Sequence, residues 1–148
     1  MGTPWEAAPT AHDWFRRAPP DLLCTNRARR GRGYVPQALR ASTGLRHVGL
    51  EGPYAVASYS FADLGMAQVM GQTKGLVKML ADRRDGRLLG VQILGHQADT
   101  LIHEAVMALA FGATAEQVAR VPQFHPTLPE ILTYPAEELA HEFARSTH

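Results

Sequence analysis

The chain predicts an α+β domain: an antiparallel β-sheet with helices packed on one face. Three observations point there. Short β-rich segments fill the middle of the chain, and Asp85-Gly86 offers a hairpin turn between two of them. From Ala98 onward, apolar residues recur at helical rather than alternating spacing.

In order along the chain, residues 1–40 are rich in Pro, Ala and Arg without periodicity. They are expected to form a poorly ordered basic N-terminal extension, with a short helical turn near Trp14 and regular structure beginning near Tyr34. Residues 41–148 should hold the domain. Leu45–Leu50 reads as a short apolar strand, Glu51-Gly52-Pro53 as a turn, and Tyr54–Phe61 as a half-buried strand. Phe61 to Thr73, broken by Gly65 and Gly71, gives no clear element. Leu76–Ala81 and Leu88–Leu94 form the clearest strand pair, because Gly86 supplies the positive φ that a tight turn demands.

Ala98, Leu101, Ile102, Ala105, Val106, Leu109 and Ala110 mark one helical stripe, with Gly112 as its C-terminal stop. Thr114, with Gln117 three residues on, predicts a capping box for a second short helix ended by Val121-Pro122. A last helix is expected after Thr127, broken or restarted at Tyr134-Pro135 before Ala136 to Phe143. The uncovered sheet face and this helix call for a partner, which symmetric dimerisation commonly supplies.

Composition narrows the function classes. A length of 148 residues allows one domain with a real core, and 45% hydrophobic with 20% charged residues fits a globular protein. No apolar run approaches the roughly 18 residues of a membrane span, and no signal-like apolar block opens the chain, so a cytoplasmic location without membrane contact is expected. Cys24 stands alone, so one copy cannot form a disulfide or a redox cysteine pair. Residues 1–40 carry seven Arg against Glu6, Asp13 and Asp21, a net +4; the remainder carries eight Lys plus Arg against eleven acids, a net −3. Arg27, Arg29, Arg30 and Arg32 lack interleaved aromatics, and no specific nucleic-acid binding is expected.

Phe124-His125-Pro126-Thr127-Leu128-Pro129-Glu130 is the stretch that carries chemistry. It sets an imidazole and a carboxylate five residues apart on a proline-stiffened mount. Histidine titrates at about 6.5 when unperturbed, and a carboxylate on one ring nitrogen fixes the tautomer while the other exchanges a proton. The same residues also fit a plain capping box, Thr127 with Glu130, with Pro129 in the first turn. Other candidates fall short. Gly31-Arg32-Gly33-Tyr34-Val35-Pro36 lacks the third glycine of a dinucleotide loop. His96, His103 and Glu104 lack a second zinc-protease histidine because Met107 holds that place, so no metal site is expected. Ser58, Ser60 and Thr127 have no triad partners, and Lys78 should face solvent from its strand.

From about Leu45 to Leu139 the sequence resembles the C-terminal interface domain of the flavin-dependent pyridine nucleotide-disulfide oxidoreductases, the group of dihydrolipoamide dehydrogenase, glutathione reductase and mercuric reductase. The resemblance runs in order through Val48-Gly49-Leu50, Met70 to Lys78, Arg87 to Gly95, Leu101 to Ala105, Gly112 to Glu116 and His125 to Glu130. It implies a homodimer contact that sends the His-Pro loop to the partner subunit. There His125, held by Glu130, would handle protons for a redox disulfide, and the His125-Pro126 backbone would lie near FAD.

This sequence departs from the pattern in lacking glycine-rich FAD and NAD(P) segments and paired cysteines, and in placing Pro129 where a small residue is usual. The expectation is a dimerisation domain acting as an oxidoreductase only together with FAD and NAD(P) domains, hence a fragment or split subunit that binds neither cofactor alone. The alternative is a non-catalytic dimerisation module.

Overall fold

The computed structural model describes residues 39–45 and 52–146. The expected basic extension up to residue 38, with Trp14, Cys24, the arginine cluster and Tyr34, lies outside the described residues. Residues 46–51 do as well.

Four strands, β1 (Leu39–Gly44), β2 (Tyr54–Ser60), β3 (Leu76–Asp82) and β4 (Leu88–Gly95), form one sheet in the order β1-β4-β3-β2. All neighbouring pairs are antiparallel. β1 was not anticipated: Leu39 and Arg40, assigned to the extension, pair with Gly95 and Leu94. Gly44 ends β1 at φ +72°, where a Cβ would sit 2.3 Å from the Leu89 carbonyl oxygen, so only glycine fits. Of the strand expected at Leu45–Leu50 only Leu45 is described; it lies past β1 and donates its N–H to the Leu89 carbonyl at 2.8 Å.

Alternation puts one side of each strand inward. Ala41 and Thr43, Ala55 and Ala57, Val77 and Met79, and Val91 and Ile93 are all buried. Ala41 on β1 and Ala55 and Ala57 on β2 keep the inner surface of the two outer strands low, so helices can approach closely. The β3–β4 hairpin turns at Gly86, φ +72°, as its sequence demanded.

Among the described residues the α-helices are α1 (Gly65–Val69), α2 (Ala98–Ala110), α3 (Ala115–Ala119) and α4 (Thr133–Ser146). α2 packs across β1 and β4, and α4 across β2 and β3 and against α3. One core joins them through Phe61, Leu64, Leu101, Ile102, Ile131 and Leu139. α2 ends as expected, with Gly112 at φ +66° and the Ala113 N–H returning to the Ala108 carbonyl. Thr114 and Gln117 form the expected reciprocal capping box on α3. Phe61 to Thr73, left unassigned from sequence, folds as a 3-10 turn (Phe61–Asp63) capped by Ser60, followed by α1.

The last helical segment differs from expectation. Pro129–Leu132 form a 3-10 turn, and α4 begins only at Thr133. Pro135 is the third residue of α4, in the first turn, where a missing N–H breaks no helical bond. It therefore does not interrupt the helix.

Candidate functional site

Between α3 and the Pro129–Leu132 turn, the chain must cross from a surface helix to a buried one. Leu128, Ile131 and Leu132 anchor the far side of this loop in the core. On the near side, Gln123 Nε2 donates to Glu104 Oε2 at 3.3 Å and moors the loop to α2. Burial pushes the Glu104 carboxyl up, opposed by the Gln123 hydrogen bond. At the tip the His125-Pro126 peptide is cis, and the Thr127 hydroxyl donates to the Phe124 carbonyl at 2.6 Å.

Within this frame His125 Nδ1 lies 2.8 Å from Glu130 Oε2. The Glu130 side chain is 8% exposed and the His125 side chain 74%. An ionised carboxylate only accepts, so the tautomer that closes this bond carries its proton on Nδ1 and leaves Nε2 open. The arrangement can accept and return a proton at one outward-facing atom.

The capping-box reading of the same residues is corrected by this geometry. Leu128, not Thr127, precedes the turn, and no side chain caps it. Thr127 is committed to Phe124, and Glu130 to His125. A charge-assisted bond to imidazole outcompetes a bond to a backbone N–H for one carboxylate.

Sequence reasoning missed two neighbours. Tyr59 and Tyr134 stack with ring centroids 4.2 Å apart and 12° between planes. Burial first, and then nearby negative charge including Glu130, holds both phenols above their ordinary value. They stand 75 positions apart, so no local pattern could signal the pair. The Gln123–Glu104 tie, 19 positions apart, was equally silent. Among the other candidates, His103 is exposed and His96 half-buried. Among the described residues no group of three or more His, Cys, Asp or Glu could hold a metal ion, and no helix is long and apolar enough to cross a membrane. Two open grooves of about 580 and 780 Å³ flank α4, and neither is lined by His125 or Glu130.

Residues 40–136 match the family model described as pyridine nucleotide-disulphide oxidoreductase, dimerisation domain. The chain belongs to that family. Its relatives include mycothione reductase of Mycobacterium tuberculosis, 37% identical over 108 residues, a match covering 67% of this chain and 24% of the relative. Human mitochondrial dihydrolipoyl dehydrogenase is 38% identical over 102 residues, covering 69% of this chain and 19% of the relative. The chain thus spans about a quarter or less of the length of these curated relatives.

The fold recurs in solved structures of the same family. LpdA from Mycobacterium tuberculosis superposes with a TM-score of 0.70 at 16% identity, covering 80% of this chain and 25% of LpdA. The HOCl-induced flavoprotein disulfide reductase RclA from Escherichia coli gives 0.60 at 22% identity, covering 68% of this chain and 24% of RclA. The four-stranded antiparallel sheet with helices is therefore the dimerisation-domain fold of the pyridine nucleotide-disulphide oxidoreductases.

Proposed function

We propose that this domain supplies a His125/Glu130 acid–base pair to the redox disulfide of a partner subunit in an FAD-dependent pyridine nucleotide-disulfide oxidoreductase. The observation that carries this reading is the 2.8 Å contact between a buried carboxylate and a largely exposed imidazole. A remnant module without chemistry would have no need of it, so the contact favours the catalytic alternative.

Thiolate is the reactive form of cysteine. His125 Nε2 accepts the proton of an attacking thiol; the thiolate displaces one sulfur of a disulfide, and the proton returns to the sulfur that leaves. Glu130 keeps the ring in the tautomer that leaves Nε2 free to do so. FAD, when bound, supplies electron transfer. His125 and Pro126 are exposed, which leaves their backbone open to approach by such a cofactor held by a partner subunit. FAD and NAD(P) are held by other domains, in the same polypeptide or in a separate subunit, and this domain binds neither alone.

Partner contact has physical support too. The Gln123–Glu104 tie seats the loop beside α2, where Met107 and Phe111 continue the Glu104 face and are exposed. Phe124, beside His125, is 88% exposed. Apolar groups of this size around a functional loop mark an interaction surface. Assembly as a homodimer and a cytoplasmic location complete the reading.

Reconstitution tests it. Added to a subunit carrying the FAD and NAD(P) domains, the chain should restore NAD(P)H-linked disulfide reductase activity, and H125A should lose it without losing assembly. Tight FAD binding and NADH oxidation by the isolated chain, or full activity of H125A, refutes the assignment.

A further inference from the structure

Glu130 has one bonded partner for two oxygens. Oε2 receives His125, whereas the buried Oε1 has no hydrogen-bond partner among the described residues. Packing must therefore keep the carboxylate aimed, and on one side that packing is aromatic. Tyr134 follows Glu130 by four residues, across the junction of the Pro129–Leu132 3-10 turn and α4, where the Thr133 backbone stays right-handed helical. Helical side chains lean toward the N-terminus, which brings the Tyr134 ring back over the Glu130 turn. Tyr59, on the edge strand β2, stacks on that ring, and its hydroxyl donates to the Asp63 carbonyl at 3.1 Å. Both tyrosines line the larger groove, and Glu130 does not. The stack thus borders groove solvent and packs against the core in which Glu130 is buried.

We infer that the Tyr59–Tyr134 stack is a positioning element for the acid–base pair, walling groove water away from Glu130 so that His125 remains its hydrogen-bond partner. The inference rests on the acid–base reading of His125 but concerns how the ring is aimed, not what it does. Water admitted to the carboxylate competes for its lone pairs and raises the local dielectric, and both weaken the bond to Nδ1. The upward push on both phenols, in which burial leads and the Glu130 charge contributes, agrees with rings close to that charge. Other charged groups around the stack are Asp63 after β2, Arg83 of the hairpin turn bound to Glu142, and Glu137, Glu138, His141 and Arg145 of α4. The rings lie on both the groove side and the core side.

The test is the tautomer of neutral His125, read from imidazole ¹⁵N shifts in the full-length chain. The parent should hold the proton on Nδ1. Y134A should reduce that preference roughly threefold to tenfold, the span between a charge-assisted and an ordinary hydrogen bond. Y134F, which keeps the ring, should leave it unchanged. An unaltered ratio in Y134A, or a loss in Y134F as large as in Y134A, overturns the inference.

If Y134A does not fold, the parent decides. The His125 Nδ1 proton should exchange with solvent several-fold more slowly than the imidazole proton of exposed His103, and equal rates overturn the inference. Failure of the catalytic reading is separable: H125A would then retain activity in the reconstituted enzyme, with these spectra untouched.

Discussion

The hairpin turn between β3 and β4 and the His125 loop each bury a carboxylate beneath an exposed nitrogen base. Asp82 is 12% exposed under an Arg84 that is 76% exposed; Glu130 is 8% exposed under a His125 that is 74% exposed. The difference lies in how many bonds are closed. Arg84 donates from Nε and Nη2 to both Asp82 oxygens and adds its backbone N–H to Oδ1 at 2.9 Å. That fork is always charged and leaves neither oxygen over. His125 engages one oxygen with one ring nitrogen and keeps the other nitrogen outside. A planar, permanently charged partner makes a strut of a buried carboxylate, whereas under the proposed function an imidazole makes it the mount of a proton carrier.

Making the second pair imitate the first should have the largest effect. H125R preserves a cation over Glu130 but cannot give up a proton at neutral pH. In the reconstituted enzyme it should lower turnover roughly 10²- to 10⁴-fold, the usual worth of a positioned acid–base group. The urea midpoint of the isolated domain should barely move, and a comparable drop in both would erase the contrast. E130Q comes next. An amide can still accept from Nδ1 without favouring one tautomer so strongly, so turnover should fall about tenfold. Loss as deep as in H125R would mean Glu130 has a part beyond orienting the ring.

The smallest effect on activity should come from the strut itself. Side-chain hydrogen bonds from Arg84, then its backbone N–H, hold the Asp82 carboxyl down to about 2 against the opposing effect of burial. A carboxyl depressed on folding stabilises the fold fully above its unfolded value of about 3.9, and that contribution is lost as pH falls through about 2. D82N should therefore be less stable than the parent at neutral pH, and the gap should close between about pH 4 and 2. Urea midpoints measured across that range check it, with turnover in the reconstituted enzyme unchanged.

Local chemistry was legible in the sequence, and competition between distant groups was not. Asp85-Gly86, Gly112 and the Thr114/Gln117 box each act within four residues, and each formed as its chemistry requires. Thr127 and Glu130 carried an equally good local signature and formed something else, because an imidazole outside the helix claimed the carboxylate. β1 escaped notice because Leu-Arg-Ala-Ser-Thr-Gly has few large apolar residues; it is a strand by virtue of pairing with β4, some fifty positions on. The His125/Glu130 pair could be read as a candidate from spacing alone. The aromatic stack behind it could not, since Tyr59 and Tyr134 meet only once α4 lies across β2.

Strand β1 sets where this domain can be cut. A fragment begun at Ala41 would sever the first two rungs of the β1–β4 ladder, those of Leu39 and Arg40. One begun after Gly44 would leave β4, with Val91 and Ile93 facing inward, as an open border of unpaired amides inviting strands from other molecules. The minimal autonomous unit therefore starts no later than Leu39.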